Sequence, residues 1–107
     1  MKYSKHDEVV DQIYQSPAKI GLDAIIAAKE VSVYKSATSK DLATKVDGVF
    51  YDGIDWYVME YKSSDAGKNR EKAKKQLNIS QSSLEDALGM KPRKLYVHGD
   101  YKVEEIP

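Results

Sequence analysis

The chain has 107 residues, enough for one domain with a modest core, and residues 1–107 are read as a single domain. Lys plus Arg equals Asp plus Glu at 17 each, so the net charge is zero; this argues against polyanion binding by bulk charge and leaves a local basic patch open. There is no cysteine, which excludes a disulfide framework, a thiolate nucleophile and an iron–sulfur cluster. MKYSKHDEVV has no signal-peptide core and no run is long and apolar enough to span a bilayer, so an intracellular, cytoplasmic chain without a membrane partner is expected.

Ser4 is placed as an N-cap, with Asp7 and Glu8 in the first turn, where the helix dipole favours anions. Val9, Val10, Ile13 and Tyr14 form an apolar stripe, and Ser16-Pro17 ends the helix. In Ala18–Glu30 the spacing of Ile20, Ala24, Ala27 and Ala28 predicts a second short helix from about Leu22. The alternative is a first helix that continues through a kink at Pro17. Val31–Ala37 alternates and is rich in β-branched residues, so it is a strand. Thr38–Thr44 is polar and reads as a loop. His6 and His98 lack metal-ligand spacing and read as structural or surface residues.

Lys45–Ser64 (KVDGVFYDGIDWYVMEYKSS) is two apolar runs around Asp52-Gly53, a β-hairpin. Two registers are open. A loop of Asp52-Gly53 alone sets Asp47 opposite Val58; a loop of Asp52–Asp55 sets it opposite Glu60. The two differ by two residues, so each leaves Asp47, Glu60 and Lys62 on one face unless a slip or bulge intervenes. Two neighbouring carboxylates repel unless a cation holds both, and a hard divalent cation takes one or two carboxylates plus water and phosphate. An ammonium beside them can orient an attacking water or stabilise developing charge. The plain alternative, an exposed salt-bridge ladder, sits poorly in a strand whose other residues are Trp56, Tyr57, Val58, Met59 and Tyr61.

Ser63, Ser64 and Asp65 offer an N-cap for a helix from Ala66 to about Leu88, with a candidate break at Ser80–Ser83. From Lys62 to Lys75 there are six cations and two anions, a basic segment in a neutral chain. Gln76 lies toward the inward side of this helix. Gly89 and Pro92 end it; Lys94–His98 is a final strand, with Tyr101–Ile106 as an extension.

Val46-Asp47-Gly48, a hairpin, then Glu60-Tyr61-Lys62 at a strand end resembles the signature of the PD-(D/E)xK nuclease superfamily, with Val46 in place of the name-giving Pro. The order of elements resembles it from about Ser4 to His98, with the second helix as an insertion. The resemblance implies an α/β fold: an α-β-β-β-α-β restriction-endonuclease-like or Holliday-junction-resolvase-like core, a mixed central sheet flanked by helices. It implies a Mg²⁺-dependent nuclease acting on DNA, with Mn²⁺ substituting. Asp47, Glu60, the Tyr61 carbonyl and a first-helix acid would hold the metal. Glu8 is the best match for that acid, with Asp7 and Asp11 as rivals. Lys62 would act on water, Gln76 (rival Lys72) would support the site, and Lys68, Arg70, Lys72 and Lys75 would hold DNA backbone. With no separate sequence-reading domain, shape, ends or junctions are the expected targets; a homodimer is expected where two strands are cut, and no small-molecule cofactor is. The alternative is a noncatalytic nucleic-acid-binding or protein-interaction module that keeps the fold, the latter through Trp56, Tyr57 and Tyr61.

Overall fold

A computed structural model describes residues 4–107; Met1–Tyr3, part of the segment read for a signal core, lie outside the described residues. Ser4 caps α1 (Lys5–Gln15): its hydroxyl accepts from the Asp7 amide at 3.1 Å, and Asp7 and Glu8 occupy the first turn. Val9, Val10 and Ile13 bury one stripe of this helix. A single 3₁₀ turn follows at Pro17–Ile20, closed by Gly21 in the left-handed region at φ 79°.

The expected second helix is absent among the described residues. Its sequence enters β1 (Ile26–Tyr34), which pairs antiparallel with β2 (Leu42–Tyr51) from Ile26↔Tyr51 onward. Pairing to β2 overrides the helix preference of Ala27 and Ala28. β2 then pairs antiparallel with β3 (Trp56–Lys62). α2 (Asn69–Leu88) connects β3 to β4 (Arg93–His98), which runs parallel to it, and β5 (Lys102–Ile106) closes the antiparallel edge. The result is a mixed α/β fold: a five-stranded mixed sheet in the order β1-β2-β3-β4-β5, with two α-helices. No helix among the described residues is long and apolar enough to cross a membrane.

The sheet separates two apolar layers. Val9, Val10 and Ile13 of α1 pack with Phe50, Tyr57, Met59, Tyr61, Leu95 and Val97. Ala73 and Leu77 of α2 pack with Val33, Val46, Val49, Val58, Tyr96 and Ile106. β3 alternates cleanly between them, Tyr57, Met59 and Tyr61 toward α1 and Val58 toward α2.

β1 and β2 do not alternate cleanly. Lys29 reaches Asp11 and the Tyr14 ring of α1, yet Val31, two residues on, packs in the α2 layer. Phe50 lies in the α1 layer and Gly48 faces its ring, yet Val46 lies in the α2 layer. Both strands reverse facing at one level, Glu30 opposite Asp47, and Glu30 has a left-handed backbone with φ 52°.

The hairpin takes the longer loop. Tyr51 pairs with Trp56, and Asp52 Oδ1 accepts from the Ile54 and Asp55 amides at 2.8 and 2.7 Å. The side chain, rather than a tight Asp-Gly pair, makes the turn. α2 starts later than expected, at Asn69, because Asp65 is drawn to the Tyr96 hydroxyl at 2.8 Å and Gly67 turns the chain at φ 63°. It runs unbroken through Ser80–Ser83, where the buried Ser80 hydroxyl donates to carbonyls of its own helix. Gly89 ends it in the left-handed region at φ 74°.

Candidate active site

The β2–β3 ladder ends at Gly48↔Met59, so the next residues outward on the two strands are Asp47 and Glu60. Beyond that pair, side chains replace the ladder. The Asp47 amide donates to Glu60 Oε1 at 3.1 Å, and the Tyr61 amide donates to Asp47 Oδ2 at 2.8 Å. Each carboxylate thus gives an oxygen to the other strand's backbone, which fixes both acids at the point where the strands part.

α1 closes the site from one side. His6 Nε2 lies 3.2 Å from Asp47 Oδ2, its Nδ1 lies 3.3 Å from Asp7 Oδ1, and its ring leans on Tyr61 at 5.7 Å. Hydrogen bonding to Asp47, against the cost of partial burial, raises the imidazole to about 9. At neutral pH His6 is therefore a cation that donates to both aspartates.

Glu60 is 2% exposed. Burial first, and the charge of Asp47 second, push its carboxyl up to about 8; the Asp47 amide, Lys62 and His6 pull it back. Lys62 is partly buried, and its carbonyl accepts from the Gly99 amide at 3.1 Å, which secures the strand end. On β4, Tyr96 pairs with Glu60 and His98 with Lys62, the two rings stacked at 5.0 Å.

The structure thus brings Asp47, Glu60, Tyr61 and Lys62 to one strand end. It does not leave Asp47 on the same regular face as Glu60, because β2 reverses facing there. Glu8 is exposed, and Asp11 is engaged by Lys29 and Gln15. The first-helix residue that meets the acids is His6. His6 lacks metal-ligand spacing, which reads as a structural or surface histidine, yet it lies three, four and seven residues before Val9, Val10 and Ile13. It therefore continues the buried stripe, and a polar residue on that stripe was the available signal.

Arg70, expected at DNA, is engaged elsewhere. Its guanidinium donates to both Glu104 oxygens at 2.7 and 2.6 Å and lies over the Tyr96 ring at 5.6 Å. Lys68, at the N-cap of α2, and Lys72 and Lys75 within it are exposed. Gln76 is partly buried, and its Oε1 is buried without a hydrogen-bond partner.

The donor set at the acid pair fits a hard divalent cation. Asp47, Glu60 and the Tyr61 carbonyl offer only oxygens, and the buried Glu60 carboxyl stays raised to about 8 even with Lys62 and His6 nearby, so its ionisation at neutral pH calls for further positive charge. A second group, Asp65, His98 and Glu104, has ligand atoms within 4.8 Å of one another. Arg70 already supplies the cation there, 2.6 Å from Glu104 and 3.9 Å from Asp65. A groove of about 590 Å³ between the end of β1 and the C-terminal half of α2 is lined by other residues, among them Ser32, Ser36, Ser82 and Ser83. No protein-family model and no curated protein sequence matches this chain.

Proposed function

We propose that this chain is a divalent-metal-dependent nuclease that hydrolyses DNA phosphodiester bonds, with the α-β-β-β-α-β core of the PD-(D/E)xK superfamily. The observation that carries the reading is the acid pair. Glu60, 2% exposed, reaches the Asp47 amide at 3.1 Å where β2 and β3 part, with Lys62 one pleat beyond. A buried acid pushed up to about 8 beside a second carboxylate is costly as structure and useful as a cation site.

When bound, Mg²⁺ or Mn²⁺ would polarise the scissile phosphate and lower the pKa of water. Asp47, Glu60 and the Tyr61 carbonyl hold that ion. Lys62 orients the attacking water and offsets charge that builds on phosphorus. His6 steadies Asp47 from α1. Gln76 supports the site, its unpartnered buried Oε1 able to accept a hydrogen bond. Lys68, Lys72 and Lys75 hold backbone phosphates. Recognition by shape, ends or junctions rather than by base sequence belongs to the same reading.

The test is Mg²⁺- and Mn²⁺-dependent cleavage of linear, single-stranded, flapped and four-way-junction DNA by wild type, Glu60→Ala and Lys62→Ala. We expect cleavage by wild type and a loss of at least a hundredfold in both variants, the scale of removing one electrostatic stabiliser. Retarded DNA mobility without cleavage on any substrate would replace the nuclease with a noncatalytic binding module.

A further inference from the structure

We propose that Glu30 is a positioning residue for Asp47 and that it acts through its left-handed backbone, not through its carboxylate. The pairs Lys29↔Gly48 and Val31↔Val46 flank the two residues, so Glu30 lies directly across the ladder from Asp47. At φ 52° it adopts a conformation that non-glycine residues seldom take within a strand. Its side chain is exposed, in contrast to the buried site it borders.

The consequence is visible on both strands. In a regular β1, Val31 would follow Lys29 onto the α1 face; it packs instead in the α2 layer. In a regular β2, Val46 would follow Gly48 and Phe50; it too lies in the α2 layer. Asp47 is therefore the residue at which β2 changes sides. It belongs to neither apolar layer, and its carboxylate lies in the seam between β2 and β3, 2.8 Å from the Tyr61 amide and 3.2 Å from His6. Val31, Val33 and Val46 pack with Leu84 and Leu77 of α2, so core burial beyond the reversal holds the strained residue in place. Local irregularities that turn a side chain out of the regular pleat recur beside active sites for this geometric reason.

The role of Asp47 as a metal ligand rests on the nuclease reading; the backbone claim has its own readout. The Tyr61 amide reports the Asp47 bond without metal. Its hydrogen-exchange protection would be measured by NMR in wild type, Glu30→Gly, Glu30→Asn and Glu30→Val, with Mn²⁺ affinity by calorimetry beside it. Gly and Asn accept the left-handed region, whereas a β-branched residue does not. Glu30→Gly and Glu30→Asn are expected to keep Tyr61 protected, to bind Mn²⁺ as wild type does, and to melt no lower. Glu30→Val is expected to lose tenfold or more of the Tyr61 protection relative to Met59, and a comparable factor in Mn²⁺ affinity. If Glu30→Val does not fold, Glu30→Ala takes its place, and the same Tyr61 readout decides. Wild-type protection in Glu30→Val, or its loss in Glu30→Gly, overturns it. A wild-type chain that binds no Mn²⁺ refutes the nuclease reading and leaves the Tyr61 comparison decisive.

Discussion

Glu60 and His6 couple the site to the stability of the whole chain, and the sign is the same for both. The Glu60 carboxyl is raised from 4.5 to about 8, by burial first and by Asp47 second. Between those values the folded chain holds a proton that the unfolded chain has released, so stability falls as pH rises and stops falling above about 8. His6 is raised from 6.5 to about 9, chiefly by its bond to Asp47, so its contribution is complete below 6.5 and is lost as pH climbs through 9. The metal-free chain should therefore weaken steadily across pH 4.5–9, while the lowered carboxyls of Asp52 and Glu104 limit it on the acid side. Glu60→Gln keeps an oxygen for the Asp47 amide and removes the acid. In thermal denaturation with EDTA it should exceed wild type by roughly 1–3 kcal/mol at pH 8 and match it near pH 4.5. A lower melting point for Glu60→Gln at pH 8 would refute the account of a costly buried charge. Glu60 and Lys62 were legible on one face because β3 alternates regularly, and the longer of the two registers set Asp47 beside Glu60; the departure of Asp47 from the regular face of β2 was not legible. His6 meets Asp47 from 41 positions away, and its one local mark, a polar residue continuing the buried stripe of α1, does not name that partner.

At the scale of elements, strands with strong alternation were readable and those held by pairing were not. β3 announces itself through Trp56–Tyr61, buried or partly buried throughout. β1 does so only from Val31 to Tyr34; before that, Ala24, Ala27 and Ala28 carry a helical spacing that pairing with β2 overrules. The hairpin register stayed open in the sequence because Asp-Gly favours a two-residue turn, whereas Asp52 instead caps the Ile54 and Asp55 amides and takes the Tyr57 hydroxyl at 3.0 Å. Gly48 leaves space on the core side, where a Cβ would lie 2.6 Å from the Phe50 ring and 3.0 Å from the Met59 methyl. The basic first half of α2 was legible as charge but not as partners, and this separates its residues. Arg70 is paired with Glu104, while Lys72 and Lys75 are exposed. Under the nuclease reading, Lys72→Ala and Lys75→Ala should each weaken DNA binding and lower the slope of log affinity against log salt by about one. Arg70→Ala should leave that slope unchanged and reduce the melting temperature. Fluorescence anisotropy across a NaCl series distinguishes them, and a reduced slope in Arg70→Ala would mean that Arg70 leaves Glu104 for phosphate.

For the whole molecule, size and charge set what one chain can do to a duplex. There are 17 cations and 17 anions, so no general field draws DNA in, and binding depends on the local excess from Lys62 to Lys75. One chain carries one set of Asp47, Glu60 and Lys62, at one end of one sheet. Under the nuclease reading it cuts one strand per encounter. The second strand then needs a second chain, either bound independently or paired about a two-fold axis. These routes leave different traces on a supercoiled plasmid with protein limiting. Independent action accumulates nicked circles first, at a rate linear in protein, and linear DNA follows only through a second, unrelated event. A pre-formed pair yields linear DNA early, and dilution below its dissociation constant restores nicking. A net charge of zero gives chains no long-range attraction for one another, so we expect nicked circles to dominate early on plain duplex. Linear product should appear early only on four-way junctions, whose two-fold form presents two equivalent strands to two chains. Gel analysis of both substrates across a tenfold protein series checks this. Early linear product from plain plasmid, unchanged on dilution, would show a stable dimer that cuts both strands of an ordinary duplex.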